Sequence, residues 1–175
     1  MHLRRARAND IDRIMDIIED GRRALGALGI DQWQGRYPHR GAIEDDVARG
    51  ASYVVEEDGR VAATSMIGFS GDRDYDAIEG AWLTEGSSDD PGYAVVHRLA
   101  VGAGCSGRGV ASFLLASAEE LSRREGALSV RIDTHPGNQP MRRLLEKAGY
   151  AQCGVIRIEH AEEGVPERIA YEKLV

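Results

Sequence analysis

The sequence predicts an α/β domain in which a mixed, mostly antiparallel central sheet carries helices on its faces. Two observations predict this fold class. Strand-like and helix-like periods alternate along the whole chain, and a strong hairpin signal, Asp58-Gly59, joins two apolar runs of strand length. At 175 residues, with 42% hydrophobic and 29% charged side chains, the chain fits one globular domain, residues 1–175. No internal repeat, linker or low-complexity segment divides it.

The predicted elements follow from periodicity and from turn residues. After an N-terminal strand, a first helix begins behind a capping residue, Asn9 or Asp10, with apolar side chains at helical spacing and glycines at its end. The elements after it are a helix over 41–49, strands over 51–56 and 60–69, a Gly-, Asp- and Ser-rich loop over 70–91, a strand over 93–101 and a helix from Val110 to near Gly126. A strand over 128–134 follows, then a last helix that Asn138 can cap and that ends just before Gly149, and finally strands over 154–160 and 167–174.

The most informative stretch runs from Leu99 to Leu115, where a strand ends, glycines follow and an amphipathic helix begins. Gly107 and Gly109 let a ligand approach the backbone closely, and the first N–H groups of a helix have no partner inside it. Together with the helix dipole, worth roughly 0.3–2 kcal/mol, they form an anion site to which Arg108 can add charge. The alternative is a glycine-rich turn that only joins strand to helix.

A second motif overlaps this stretch. Gly102, Gly104 and Gly107 match the dinucleotide fingerprint G-x-G-x-x-G after a strand. However, the acid at the end of the next strand, Asp133, lies 26 residues beyond Gly107 (133 − 107), whereas a ribose-binding acid is expected after about 20. The chain that follows ends in an antiparallel pair and is too short to build a second mononucleotide half. An NAD(P)-binding protein is therefore the less favoured alternative.

Three segments together resemble the GCN5-related N-acetyltransferase (GNAT) superfamily: His97-Arg-Leu-Ala-Val101, Ser106-Gly-Arg-Gly-Val-Ala111, and Asn138 followed by Leu145-Glu-Lys-Ala-Gly-Tyr150. The superfamily loop is written Q/R-x-x-G-x-G/A. Gly109 and Ala111 match it, and Ser106 stands where Arg or Gln is usual. The order of predicted elements matches as well. The resemblance thus covers nearly the whole chain and implies an acyl-CoA N-acyltransferase fold with acetyl-CoA as the co-substrate.

The resemblance also implies where acetyl-CoA lies. A splayed sheet is expected to hold it between the strands over 93–101 and 128–134, and a primary amine of a small molecule or peptide is expected to attack it directly. Asn138 is expected to hold the pantetheine arm, and a plain helix cap explains this residue equally well. The arm is expected to meet the backbone of Leu99, Ala100 and Val101. The pyrophosphate is expected to lie against Gly107, Arg108, Gly109, Val110, Ala111 and Ser112.

Two residues are candidates for the general base. A lysine-like amine has a pKa of ~10.4, so only about one molecule in a thousand is neutral near pH 7.4. His97, an imidazole two residues before Leu99 and expected on the same strand face, resembles a histidine that some arylalkylamine members use. Asp133 precedes Asn138 by five residues, where some ribosomal-protein acetylating relatives carry a catalytic glutamate. A buried core histidine and a turn carboxylate are the structural alternatives.

The general acid is the point at which the sequence departs from its relatives. Many carry a tyrosine before Glu-Lys in the last helix, and Leu145, which cannot donate a proton, occupies that position here. Tyr93 or water is an alternative donor, or the thiolate leaves unassisted. The departure keeps open a second function, an acyl-CoA-binding module without transfer activity.

Residues on the acceptor side are predicted from aromatic and charged side chains. Trp33, Trp82 and His135 are candidates, although buried anchors explain the two tryptophans better and an exposed loop position explains the histidine better. Four acids of the 70–91 loop can attract a cation or simply be solvated: Asp72, Asp74, Asp76 and Glu79.

Charge and composition limit the partners. A net charge of −7 without a Lys/Arg stripe argues against nucleic acid. No apolar run approaches the ~20 residues of a membrane span, and two cysteines without a secretory signal predict a cytoplasmic protein. His97, Asp133 and His135 have no recognised metal-ligand spacing, so no metal is expected. The oligomeric state stays open, with a homodimer among the alternatives.

Overall fold

The computed structural model describes residues 1–158 and 165–175. In this part of the chain, strands and α-helices are numbered in chain order. The strands are β1 (His2–Arg5), β2 (Ser52–Glu57), β3 (Arg60–Gly68), β4 (Glu79–Gly80), β5 (Tyr93–Val101), β6 (Ser129–Thr134), β7 (Ala151–Arg157) and β8 (Glu167–Leu174). The helices are α1 (Ile11–Ala27), α2 (Arg40–Ala48), α3 (Val110–Arg124) and α4 (Gln139–Lys147).

The strands form one sheet in the order β1-β2-β3-β5-β6-β8-β7-β4. β5 and β6 are parallel, and the other neighbouring pairs are antiparallel. The predicted mixed, mostly antiparallel sheet is therefore confirmed. A dinucleotide-binding half needs several adjacent parallel strands, so the fingerprint at Gly102–Gly107 has no matching fold around it.

Different elements cover the two faces of the sheet. α3 and α4 pack on one face, where Val96 and Ile132 lie in the main apolar cluster. α1 packs on the other face through side chains such as Ile14. The connection between β3 and β5, residues 69–92, covers the rest of that second face, and its Tyr75 is buried against the sheet. Each buried aliphatic or aromatic side chain contributes roughly 1.5–3 kcal/mol.

Local signals in the sequence predict some boundaries better than others. Asp58 and Gly59 have φ values of 51° and 75°, the left-handed conformations that a tight hairpin turn requires. Asp10 stands directly before α1, but its side chain does not cap that helix. Its carboxylate instead accepts the N–H of Arg7 at 2.8 Å and pairs with Arg4 at 2.7 Å, so the predicted cap is wrong for Asp10.

The last two strands differ in how well they were predicted. β8 has the predicted bounds, whereas β7 begins at Ala151, three residues before the predicted start at Gly154. Gly154 does not begin the strand but lies inside it, with a φ of 156° and close to the backbone of Glu79 and Gly80 of the two-residue strand β4. The predicted end of this strand, His160, lies outside the described residues.

Candidate active site

A cavity of about 890 Å³ opens where β5 and β6 separate. The two strands pair from Tyr93 and Ser129 as far as Val96 and Ile132. Beyond that point β5 remains paired with β3, and β6 remains paired with β8. The sheet is therefore splayed, and the cavity extends from the N-terminus of α3, through the gap, to residues of α1 and of the 69–92 connection.

A β-bulge at Arg98 redirects the side chains of β5. Between its pairings at His97 and Ala100, β5 has one residue more than β3, and Arg98 has a φ of 53°. His97 stays on the face that the 69–92 connection covers, whereas Leu99 packs against the α3 side. The expectation that His97 and Leu99 share a face is wrong, because strict alternation ends at a bulge.

The glycine loop before α3 leaves room against the backbone. Gly107 and Gly109 have φ values of 75° and 80°, and a Cβ added to either would meet no atom within 4 Å. No side chain caps α3, so its first N–H groups are free to bind a ligand. The loop therefore combines open space, exposed N–H groups and the positive end of a helix dipole, which suits a phosphate.

The cavity gathers most of the residues predicted to hold acetyl-CoA. Its lining includes Leu99, Ala100, Val101, Gly107, Gly109, Val110, Ala111, Ser112 and Asn138. The Asn138 side chain also caps α4 by accepting the N–H of Met141 at 3.2 Å, so the helix cap is confirmed and the contact with the pantetheine arm stays a prediction. Arg108 is not part of the lining, because its guanidinium pairs with Glu57 at 2.9 Å and turns away from the cavity.

The two candidate bases lie in one cluster at the cavity wall. Nδ1 of His97 lies 3.6 Å from Oδ1 of Asp133, and Nε2 of His97 lies 2.6 Å from Oδ2 of Asp72. All three side chains line the cavity and are largely buried. Burial raises the pKa of Asp72, but the hydrogen bond and charge of His97 lower it more, so the pKa lies below its ordinary value. Asp72 is thus an ionised partner for His97.

Tyr75 of the 69–92 connection contacts both Asp133 and His97. Its hydroxyl donates to Oδ1 of Asp133 at 2.8 Å, and its ring meets the His97 ring edge-on at 5.8 Å between centroids. Burial first, and then the charge of Asp133, raise the pKa of Tyr75 well above its usual value. The hydroxyl therefore keeps its proton and serves as a fixed donor to Asp133.

Comparison with known proteins identifies the family. The model of the acetyltransferase (GNAT) family matches residues 11–150. The chain belongs to the GNAT acetyltransferase family. A GNAT-family acetyltransferase of Streptococcus agalactiae has a structure with a TM-score of 0.87 and 34% sequence identity, over 99% of this chain and 95% of that one.

More distant structures share the GNAT fold. A GNAT-family acetyltransferase of Listeria monocytogenes has a TM-score of 0.72 at 21% identity, over 99% of this chain and 94% of its own. A ribosomal-protein-alanine N-acetyltransferase of Brucella melitensis has a TM-score of 0.68 at 18% identity, and both chains are covered completely (100%). A search of curated protein sequences finds no significant match.

The end of the cavity at which the acceptor is predicted to bind is formed by α1, the segment after it and the 69–92 connection. Trp33 lines it, with a φ of 65° and its indole against Gly21. Tyr37 lines it too, and its hydroxyl accepts a hydrogen bond from Arg98. The cavity lining includes the carboxylates of Asp72, Asp74 and Asp133, and it also includes apolar side chains such as Leu25 and Leu28.

Two predicted acceptor residues do not line the cavity. Trp82 packs on Tyr75 and on the guanidinium of Arg131, which makes it an anchor of the 69–92 connection. His135 accepts the N–H of Gly137 at 3.0 Å through Nδ1, and its Nε2 lies 3.4 Å from a carboxylate oxygen of Asp31. Burial lowers the pKa of His135.

The two positions considered for the general acid, Leu145 and Tyr93, also lie outside the cavity lining. Leu145, at the usual tyrosine position, is fully buried in the main apolar cluster. Tyr93 is buried as well, and its hydroxyl accepts the N–H of Asp72 at 3.3 Å. Neither residue offers a proton to the cavity.

Some contacts of the candidate site leave no local signal in the sequence. Asp72 belongs to an acidic loop, and nothing in its spacing indicates His97, 25 residues further on. Tyr75 and Arg168 likewise meet Asp133 only through the fold, with the Arg168 guanidinium 4.0 Å from its carboxylate.

Two further findings concern metal ligands and membrane-spanning helices. Within residues 1–158 and 165–175, no group of three His, Cys, Asp or Glu side chains is arranged to hold a metal ion. In the same part of the chain, no helix is long and apolar enough to cross a membrane.

Proposed function

We propose that this GNAT protein transfers the acetyl group of acetyl-CoA to a primary amine of a small molecule or peptide by direct attack, in the cytoplasm. The observation that carries the proposal is one continuous cavity, which joins the open N-terminus of α3 to His97 and its two carboxylates. The open space at Gly107 and Gly109 and the gap between β5 and β6 fit a long ligand with a phosphate group at one end.

In this proposal the chain's own residues hold acetyl-CoA at three places. Free N–H groups at the start of α3 bind the pyrophosphate, the β5 backbone from Leu99 to Val101 contacts the pantetheine arm, and Asn138 borders the arm from α4. When bound, acetyl-CoA supplies the thioester whose carbonyl carbon the amine attacks. Holding both reactants in one cavity makes the attack effectively intramolecular.

His97 acts as the general base through Nδ1. The ionised Asp72 accepts a hydrogen bond from Nε2, so the neutral imidazole carries its proton there and keeps its lone pair on Nδ1. This nitrogen faces Asp133, which stabilises the imidazolium after the proton arrives. Asp133 therefore assists His97 in this proposal, and Tyr75 holds it in place.

Deprotonation of the acceptor amine has a free-energy cost that the general base must help to meet. Freeing a lysine-like amine of its proton near pH 7.4 costs about 4 kcal/mol, because its pKa of ~10.4 lies three units higher. A positioned general base typically contributes a factor of about 10²–10⁴. The departing thiolate has an ordinary pKa of ~8.5, and we propose that water protonates it, since Leu145 and Tyr93 lie outside the cavity.

The acceptor is proposed to be a cationic amine on a partly apolar body. Asp72 and Asp74 give one wall of the acceptor end negative charge, which attracts an ammonium group. Leu25, Leu28 and Trp33 add apolar surface to the lining of the same cavity. One protein of similar fold is a ribosomal-protein-alanine N-acetyltransferase, so peptides with an N-terminal alanine are also acceptors to test.

The direct test is thiol release from acetyl-CoA with a panel of amines: arylalkylamines, diamines, amino acids and peptides with an N-terminal alanine. We expect one class to release thiol in step with an acetylated amine seen by mass spectrometry. The control is His135→Gln, a histidine outside the cavity, which should retain the activity. Binding of acetyl-CoA without release for any amine would favour the alternative, a binding module without transfer activity.

A further inference from the structure

The 69–92 connection supplies residues to the candidate active site although most of it has no regular structure. Asp72 and Asp74 reach the cavity from it, and Tyr75 reaches Asp133. Its only strand, within the described residues, is the two-residue β4. Something other than sheet pairing must therefore fix its position over the face of β5 and β6.

A buried ion pair lies beneath this connection. Arg131 of β6 and Glu172 of β8 face each other across the two strands, with Nε of Arg131 3.1 Å from Oε1 of Glu172. Both side chains are completely buried, with 0% exposure. The pair is a directly opposed cross-strand pair on the face that carries Asp133, two residues along β6 from Arg131.

The pair holds the backbone of the connection directly. Glu172 accepts the N–H groups of Leu83 and Thr84 and the Thr84 hydroxyl. Arg131 donates to the Thr84 carbonyl at 2.7 Å through Nη2. Ser129 also donates to Glu172, so the carboxylate is fully engaged. Donors and acceptors of one short segment are thus satisfied by a charge pair from the sheet.

The pair also reaches His97 through a stack of rings. The Arg131 guanidinium lies over the rings of Tyr93 and Trp82, 3.8 Å and 4.4 Å from their centroids. Trp82 packs on Tyr75 at 5.2 Å between centroids, and its indole N–H donates to the Tyr75 carbonyl at 3.0 Å. Tyr75 in turn contacts both Asp133 and His97.

Stability is a weak explanation for such a pair. Removing two charges from water has a large desolvation cost, and replacing a buried ion pair with apolar groups of similar volume is often neutral or stabilising. What an apolar pair could not do is hold both the N–H and the C=O of Thr84 and stack under Trp82. The geometry suits a role in placing the connection.

We infer that Arg131 and Glu172 are positioning residues. They hold the 69–92 connection in the place where Asp72 contacts His97 and Tyr75 contacts Asp133. The inference rests on the proposed function for its catalytic consequence, since His97 is the base of that proposal. The orientation of the His97 imidazole is a consequence that can be measured without any turnover.

The test is the double variant Arg131→Met/Glu172→Gln, which removes both charges at once and leaves no unpaired ion. Its matched control is Lys173→Met/Glu119→Gln, a partly buried pair at 2.7 Å that also joins β8 to a neighbouring element, on the α3 side. Melting temperature, acetyl-CoA affinity, kcat/KM for the acceptor and the ¹⁵N spectrum of the His97 imidazole are measured for both.

For Arg131→Met/Glu172→Gln we expect a folded protein with unchanged acetyl-CoA affinity. Its melting temperature should change little, because removing the desolvation cost of two buried charges offsets the hydrogen bonds lost at Thr84. We also expect at least a tenfold loss of kcat/KM and an altered His97 ¹⁵N spectrum. The control should keep the wild-type kcat/KM and His97 spectrum. A folded double variant with the wild-type His97 spectrum and kcat/KM would overturn the inference, as would an equal loss in the control.

A milder variant keeps the inference testable if the double variant does not fold. Trp82→Phe retains a ring over Arg131 and removes the indole N–H that bonds the Tyr75 carbonyl. It should change the His97 spectrum in the same direction by a smaller amount, and an unchanged spectrum contradicts the inference. A wild-type protein without turnover would refute the proposed function, while the His97 spectrum would still decide the positioning role.

Discussion

His97 and Asp72 are joined by a contact of 2.6 Å between Nε2 and Oδ2, although they are 25 positions apart in the chain. The contact links β5 to the 69–92 connection at the point where β5 stops pairing with β6. It fixes which imidazole nitrogen faces Asp133, because the other nitrogen is held by an ionised carboxylate. The chemistry proposed for the site depends on this single orientation.

Replacing Asp72 should therefore weaken catalysis more than binding. Asp72→Asn removes the charge that holds the Nε2 proton, so kcat should fall about 10- to 100-fold while acetyl-CoA affinity stays unchanged. Steady-state kinetics with the best acceptor and calorimetry with acetyl-CoA measure the two effects. An unchanged kcat would mean that Asp72 does not orient the base. Asp45→Asn, which removes an exposed carboxylate of α2, is the control.

The same carboxylate should contribute to acid stability. The folded pKa of Asp72 lies below the unfolded value, so its stabilising contribution is present above about pH 4 and is lost as the pH falls through the folded pKa. Urea unfolding between pH 6 and pH 2.5 should show a steeper loss of unfolding free energy for the wild type than for Asp72→Asn. Parallel curves would contradict the lowered pKa.

Acetyl-CoA affinity should depend on the start of α3. Ala111→Glu places a carboxylate at the N-terminal turn, where it suits the helix dipole but occupies the proposed phosphate site. Calorimetry should show about a tenfold or greater loss of affinity, with the fold intact. Ala116→Glu, the same change at an exposed position of the same helix, is the control. Equal affinities for both variants would remove the proposed phosphate site.

Coenzyme choice should follow the fold rather than the dinucleotide fingerprint. A ligand at 100 times its Kd stabilises the folded state by about 2.7 kcal/mol, which corresponds to a rise of roughly 5–10 °C in Tm for a domain of this size. We expect that rise with acetyl-CoA and none with NAD or NADP in a thermal-shift series. Stabilisation by NAD alone would contradict the assignment of the cavity.

The sequence predicts features whose causes are local. The Asp58-Gly59 turn, the bounds of β5 and the Asn138 cap each depend on a few adjacent residues, and the structure has all three. The bulge at Arg98 is different, because it depends on how β5 meets β3. It moves Leu99 to the opposite face from His97, which no pattern of apolar residues indicates.

Long-range contacts explain the rest of what the sequence could not predict. The acidic loop is visible in the sequence, yet its pairing with His97 is set by the fold over 25 positions. Trp82 is a reasonable candidate for a binding-pocket wall by composition alone. Its stacking on Arg131, 49 positions away (131 − 82), makes it an anchor instead.

The measurement that tests the central claim most directly is the pH dependence of acetyl transfer by His97→Gln, with His135→Gln as the matched control. If His97 is the base, kcat should fall by about 10²–10⁴ with little change in acetyl-CoA affinity, and raising the pH should partly restore it because more amine is then neutral. His135→Gln should retain the wild-type profile. A His97→Gln variant that melts at a lower temperature but keeps kcat per folded molecule at every pH would contradict the account.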